Sequence, residues 1–281
     1  VDLPFELLTA GYCTAKQHHA LHKSEKKLIR FYATYGLWKH PERGYILFDT
    51  GYTRRYHVET STFPSNLYNK VTKVFIEEEE EAVAVLGEKG IRPEEIKYII
   101  VSHFHADHVG GLLDFPQATV VCTSEAYQYA IKKKGFNGVR QGYLFGLLPR
   151  GIGDNVQFID FNTPVRTDPI LGPLADPFSD GSILICALPG HARGQIGALF
   201  NSNDREVFLA SDSAWLEESY QEYTLPHPIV RILCDSWKEF KSTLKKVHDY
   251  HRAHPDTIIV PCHSNKARLR YDSQGTKKIW T

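Results

Sequence analysis

Three imidazoles and a carboxylate crowd into six residues, His103-Phe104-His105-Ala106-Asp107-His108. Neutral imidazole nitrogens and carboxylate oxygens are the donors that Zn²⁺ and neighbouring divalent ions prefer, so the chemistry this spacing invites is metal binding. On an extended stretch His103 and His105, two residues apart, project to the same side and can face one cation. Asp107 and His108 fall past the bend and can turn toward a second. A polar loop that happens to be rich in His would explain neither this density of donors nor their partners downstream. Those partners are His191 in Leu188-Pro189-Gly190-His191, Asp212 in Phe208-Leu209-Ala210-Ser211-Asp212, and His263 in Val260-Pro261-Cys262-His263. Seven donors are too many for one tetrahedral ion and suit two.

Short apolar runs stand directly before these donors. Tyr98-Ile99-Ile100-Val101 precedes the His cluster, and Ile183–Leu188, Glu206–Ala210 and Thr257–Val260 precede His191, Asp212 and His263. Each is brief and β-branched, which predicts a buried strand delivering its donor at the carboxyl end. Gly44-Tyr45-Ile46-Leu47-Phe48-Asp49-Thr50-Gly51 is a further strand running into a tight turn, with Gly51 free to take positive φ. Asp49 there reads either as an Asx turn or as a group that orients a metal-ligating His. Cys262, extended beside His263, should point away from the metals.

The remaining chain supplies the frame. Two strand-like runs, Phe5–Leu8 and Leu28–Ala33, flank a polar stretch with His18, His19 and His22. That stretch suits a solvated loop shaping a pocket better than a metal site, because no carboxylate or Cys accompanies it. Asn66 to Gly90 reads as a long helix, whole or broken in two, with the five carboxylates Glu77–Glu81 fanned around its solvated surface. Ala118–Cys122 reads as a strand and Ser124–Lys134 as a helix capped by Thr123 or Ser124. From about 135 to 180 the chain is dense in Gly, Pro, Asp and aromatics, Phe145 among them. It reads as a structured insertion folding over the site, or as connecting loops and edge strands. Ser236–Ala253 is a helix whose Trp237, Phe240, Leu244 and Val247 would cover a sheet, with His248, His251 and His254 as surface residues. Alternating strands and helices fix the class as α/β.

Composition narrows the function classes. With 33 basic and 33 acidic residues among 281, the neutral chain lacks the basic excess of nucleic-acid or membrane-surface proteins. No apolar run is long enough to span a membrane, and Val1-Asp2-Leu3-Pro4 opens no secretory signal. Five scattered cysteines without a Cys-x-x-Cys pair argue against a disulfide framework. The expectation is one domain over residues 1–281 in a soluble, cytoplasmic protein.

The His-x-His-x-Asp-His signature, with Phe48-Asp49-Thr50-Gly51 upstream and a His, an Asp and a His downstream in that order, resembles the metallo-β-lactamase-fold hydrolases, from about Leu28 to His263. The resemblance implies a four-layer αββα sandwich. It implies that His103, His105 and His191 bind a first metal, that Asp107, His108 and His263 bind a second, and that Asp212 bridges them. Asp49 would then stand behind a ligating His. Two divalent ions, zinc first with manganese, iron or cobalt as alternatives, would hold a bridging hydroxide that attacks an ester or lactone carbonyl, with Asp107 and Asp212 as the catalytic carboxylates.

Redox members of that fold place Glu where His105 stands, true β-lactamases commonly place Cys where Asp212 stands, and nucleic-acid-processing members carry basic character and extra domains. Length and the seven-donor set are most similar to the N-acyl homoserine lactonases. Those usually carry a Tyr three residues after the bridging Asp, where this chain has Trp215; Tyr220 or Tyr223 could take its place, and Phe145 could join the pocket. Alternatives are a thioesterase or glyoxalase-II-like enzyme, a phosphoester hydrolase, a single-iron persulfide dioxygenase, or a metal-containing binding protein. The expected partner is a small molecule with a lactone or ester group, and the chain could act as a homodimer.

Overall fold

The structure, a computed structural model, describes residues 1–149 and 152–271. Two sheets form from thirteen strands. The first holds β1 (Phe5–Lys16), β2 (Leu28–His40), β3 (Gly44–Phe48), β4 (Lys73–Phe75), β5 (Ile96–Ile100), β6 (Thr119–Thr123) and β7 (Val156–Ile159), in the order β4-β1-β2-β3-β5-β6-β7. The second holds β8 (Arg166–Asp168), β9 (Gly172–Ala175), β10 (Ile183–Ala187), β11 (Ile196–Ser202), β12 (Arg205–Ser211) and β13 (Ile258–Pro261), in the order β13-β12-β11-β10-β9-β8. β3, β5, β6 and β7 run parallel, as do β12 and β13. Their carboxyl ends therefore open toward the same edge, which is what a shared site requires.

Successive residues of these strands feed different layers, because side chains alternate across a sheet. Ile46, Phe48, Ile100 and Val121 face inward and meet Ile183, Ile185, Ala198, Val207, Leu209 and Val260 of the other sheet. Leu47, Ile99 and Val120 face outward onto Leu86, Val109, Leu112 and Ala126. On the far side Phe208, Ala210 and Ile259 lie against Phe240, Leu244, Val247 and Tyr250 of the helix Trp237–Ala253. The result is the αββα sandwich. Burial on both faces is why these strands read as unbroken apolar runs, and each Leu- or Ile-sized side chain so covered contributes about 1.5–3 kcal/mol.

Thr123 caps the helix Ser124–Lys132, its hydroxyl accepting from Ala126 N at 3.1 Å. Ser236 caps Trp237–Ala253 through Glu239 N. His248 contacts the Tyr220 carbonyl through Nδ1 at 2.7 Å and His254 stacks on Tyr250, so these histidines are held by local contacts away from the donors.

The stretch from Asn66 to Gly90 departs from the expected helix. It is a short helix Asn66–Val71, the edge strand β4 paired to β1, a single 3₁₀ turn Glu78–Glu80 and a helix Ala82–Glu88. Val74, Phe75 and Ile76 are β-formers that gain an edge on β1, a tertiary pairing that overrides local helix preference. Glu77 to Glu80 are exposed, whereas Glu81 is buried and accepts from Arg54 N and Nε at 2.8 and 3.1 Å. The Gly- and Pro-rich stretch near 135–180 is shared out: β7 extends the first sheet and β8–β9 the second. Within it, Arg150 and Gly151 lie outside the described residues. No helix among the described residues is long and apolar enough to cross a membrane.

Candidate metal centre

The donors arrive on four strand exits, and a fifth, that of β3, places Asp49 behind them. β3 ends at Asp49, which takes φ +63° before Gly51 at φ +67°. A Cβ on Gly51 would stand 2.4 Å from the Ala10 Cβ, so this turn needs glycine for space as well as for φ. β5 leads through Val101 and Ser102 to His103 and His105, and Asp107 and His108 follow on the four-residue helix Ala106–Val109. β10 leads to His191 past Gly190, where a Cβ would meet Phe240 N at 2.1 Å; the loop thus packs directly on the start of the long helix. β12 and β13 lead to Asp212 and His263.

All seven donors are buried, each at most 9% exposed; His105, Asp107, His191, Asp212 and His263 line the floor of one cavity, and His103 and His108 stand against them from below. His105 Nδ1 lies 3.1 Å from His103 Nε2 and 3.0 Å from His191 Nε2. One ring nitrogen with one lone pair cannot accept from both neighbours, whereas three nitrogen lone pairs around a cation leave no conflict. Asp212 stands between the groups, with Oδ2 3.1 Å from His191 Nε2 and 3.3 Å from His263 Nε2, and Oδ1 3.3 Å from His108 Nε2. Asp107 Oδ2 approaches His263 Nε2 at 3.5 Å and His108 Nε2 at 3.6 Å. Two sets of donors converge within 4.8 Å, His103/His105/His191 and His108/Asp212/Cys262/His263. Asp107 borders the second set.

Charge is distributed unevenly across this floor. Burial, together with the neighbouring imidazoles, holds His103 and His105 well below the ordinary imidazole range, so both present lone pairs. Burial opposes protonation of His108 too, but Asp107, Asp49 and Asp212 outweigh it and push that imidazole well up. Asp212 is pulled well down: His263, His191 and His108 overcome the cost of burial. A dense anionic and imidazole cluster of this kind, shut away from water, calls for compensating positive charge.

The side chains are aimed by a layer behind them. Asp49 Oδ2 lies 2.8 Å from His108 Nδ1, and Asp49 itself accepts from Ser102 N and Ser102 Oγ, both at 2.7 Å. This turns His108 Nε2 toward the centre. His263 Nδ1 lies 2.8 Å from the Tyr32 carbonyl. The Trp215 indole donates to Asp212 Oδ2 at 3.0 Å. Ser102 and the Tyr32 carbonyl escaped sequence reasoning; Ser102 adjoins the signature, but a main-chain acceptor on β2 leaves no residue signal at all.

An open cavity of about 180 Å³ rises above the floor. Its walls are Cys13 to Ala15 and His19 from the first strand and the turn after it, Phe31 from β2, Tyr52, Tyr68 and Val71, then Gln141, Gly142, Trp215, Val230 and Leu233. Trp215 is thus where the sequence put it. Tyr220, Tyr223 and Phe145 do not line this cavity. The Tyr220 phenol donates to the Ile259 carbonyl in the layer outside the second sheet, Tyr223 donates to the Lys241 carbonyl, and Phe145 lies 40% exposed under the Lys134 ammonium. The helix Glu217–Gln221 carries Tyr220 away from the floor. His18, His19 and His22 gather around His227, but they form no convergent donor set among the described residues. Cys262 contradicts its expected direction: after Pro261 the chain turns instead of staying extended, and the thiol points at Asp212 Oδ1, 2.5 Å away.

Residues 32–197 match the model of the metallo-beta-lactamase superfamily. The chain belongs to that superfamily. Within it, the chain is 27% identical over 230 residues to the N-acyl homoserine lactonase AttM of Azorhizobium caulinodans, covering 80% of this chain and 81% of that one. Its fold is similar to that of an N-acyl homoserine lactone hydrolase solved with N-hexanoyl-L-homoserine at the catalytic metal centre, with TM-score 0.70, 19% identity and 96% of each chain covered. It is also similar to AidC, a dizinc quorum-quenching lactonase, with TM-score 0.64, 17% identity, and 94% of this chain and 88% of that one covered. The metallo-beta-lactamase superfamily assignment and the sandwich expected from the sequence agree.

Proposed function

We propose that this metal-dependent hydrolase opens the ring of a lactone carrying an acyl chain, an N-acyl homoserine lactone being the leading substrate, at a dinuclear centre. The observation that carries the reading is the convergence of seven donors at one cavity, His105, Asp107, His191, Asp212 and His263 on its floor and His103 and His108 in contact beneath them. His103, His105 and His191 would hold one ion, and Asp107, His108 and His263 the other, with Asp212 between them. Two divalent ions, with zinc the best match to the donors, would supply Lewis acidity and activate water at neutral pH.

The chain's own groups do the rest. Asp212, fixed by the Trp215 indole, keeps the two halves of the floor in register. Asp107 is the more exposed of the two carboxylates, 9% against 3% for Asp212, and with Oδ2 turned to His108 and His263 its other oxygen is the one left to take a proton and return it to the departing alkoxide. Phe31, Val71, Val230 and Leu233 form an apolar side that suits an acyl chain. The Trp215 indole offers a donor and no titratable hydroxyl, so here the side chain three residues past Asp212 steadies the carboxylate and does not itself protonate.

The test is hydrolysis of an N-acyl homoserine lactone beside a generic thioester and a phosphodiester, with products followed by mass. Lactone opening by addition of one water supports the reading. Thioester or phosphodiester turnover with no lactone opening overturns it.

A further inference from the structure

We infer that Cys262 donates its sulfur to the second metal position, making that half of the centre thiolate-bearing while the first half has three imidazoles and no sulfur. The inference rests on the metal-hydrolase reading above and extends its donor set by one residue.

Direction is the first ground. β13 ends at Pro261, and the turn that follows swings Cys262 and His263 to the same side. Cys262 Sγ lies 2.5 Å from Asp212 Oδ1, and its donor atom falls within 4.8 Å of those of His108, Asp212 and His263. The second ground is independent of the cysteine. His108 Nε2 is buried, makes no hydrogen bond, and stands 3.3 Å from Asp212 Oδ1. Its Nδ1 is already engaged by Asp49, so Nε2 is a nitrogen aimed into the same small space as the sulfur. A buried imidazole nitrogen, a carboxylate oxygen and a thiol facing one point form the kind of mixed set that holds a borderline-soft cation. Burial completes the picture: Cys262 is 7% exposed and packs among Phe31, Trp215 and Val230, so the contact of its sulfur with Asp212 is closed off from bulk water.

Coordination would replace the S–H bond by a sulfur–metal bond and release one proton to solvent for each sulfur bound. A thiolate at this position favours zinc, cobalt or cadmium over manganese or magnesium, which take oxygen donors.

The test uses the full chain loaded with Co²⁺. A sulfur-to-cobalt charge-transfer band in the near ultraviolet, lost in Cys262→Ser and kept in Cys13→Ser, is the expected result. Cys13 is the fitting control because it lines the cavity while belonging to neither convergent donor set among the described residues. Two bound cobalt ions with no such band overturn the sulfur donor and leave the dinuclear reading standing. Failure to bind a second ion overturns both. If Cys262→Ser does not fold, ¹¹³Cd resonances of the unaltered protein decide the matter: one shifted strongly downfield by sulfur supports the inference, and two in the nitrogen–oxygen range overturn it.

Discussion

The floor of the cavity and its walls are built by different means. On the floor, every donor stands at or just past the carboxyl end of a strand that is buried on both faces, and most are held from behind, as Asp49 and Ser102 hold His108 and the Tyr32 carbonyl holds His263. The walls come from scattered segments: the end of β1, the turn carrying His19, the loop at Gln141 and Gly142, and the 3₁₀ stretch Pro228–Leu233. Val71 and Leu233 on the rim are 74% and 37% exposed. The floor is fixed by the sheet core and the walls are free to vary without disturbing it. Changes on the floor should therefore act on chemistry, and changes in the walls on which substrate is taken.

The strongest way to break that division is Asp212→Ala. It removes the carboxylate shared by three imidazoles and should lower kcat/KM on the order of 10³-fold, about 4 kcal/mol of lost transition-state stabilisation. Steady-state kinetics on purified, folded variant will check it; a loss under tenfold would mean the floor is not where the chemistry happens. Asp49→Asn keeps every donor and disturbs only the aim of His108. The expected outcome is metal affinity down about 10–100-fold, read by chelator competition, with preference among acyl-chain lengths unchanged.

The walls should respond in the opposite sense. Leu233→Ala removes apolar surface from the rim and should shift the long-chain to short-chain ratio of kcat/KM by about tenfold, while kcat on the short-chain substrate stays near its starting value. Smallest of all, Tyr223→Phe and Phe145→Ser lie off the cavity and should leave kcat/KM within about twofold. A large loss in either would show that a wall segment reaches the floor during turnover.

The same division explains what could be read from the chain. Floor residues were legible because a β-branched run followed by His or Asp is a local pattern with a fixed consequence: the residue after a buried strand stands at the sheet's edge. Asp49 was legible for the same reason. Trp215 followed from its place three residues after Asp212. The limits are tertiary. Cys262 was assigned the wrong side because alternation holds only while a strand continues, and the chain turns after Pro261. The three residues of β4 form a strand only because the edge of β1 is there to pair with. Tyr220 has the right side chain at a plausible spacing, yet the helix Glu217–Gln221 carries it toward Ile259. Wall residues such as Val230 and Leu233 are apolar in a stretch with no strand or helix period, and nothing local ties them to donors that stand 18 or more residues away in the chain.

The central claim is that the seven donors hold two ions with Asp212 between them. Elemental analysis of the purified chain beside Asp212→Asn tests it most directly. The account expects two divalent ions per chain in the unaltered protein and one or fewer in the variant, with lactone opening lost in parallel. A single ion in both, with turnover undiminished, would contradict it.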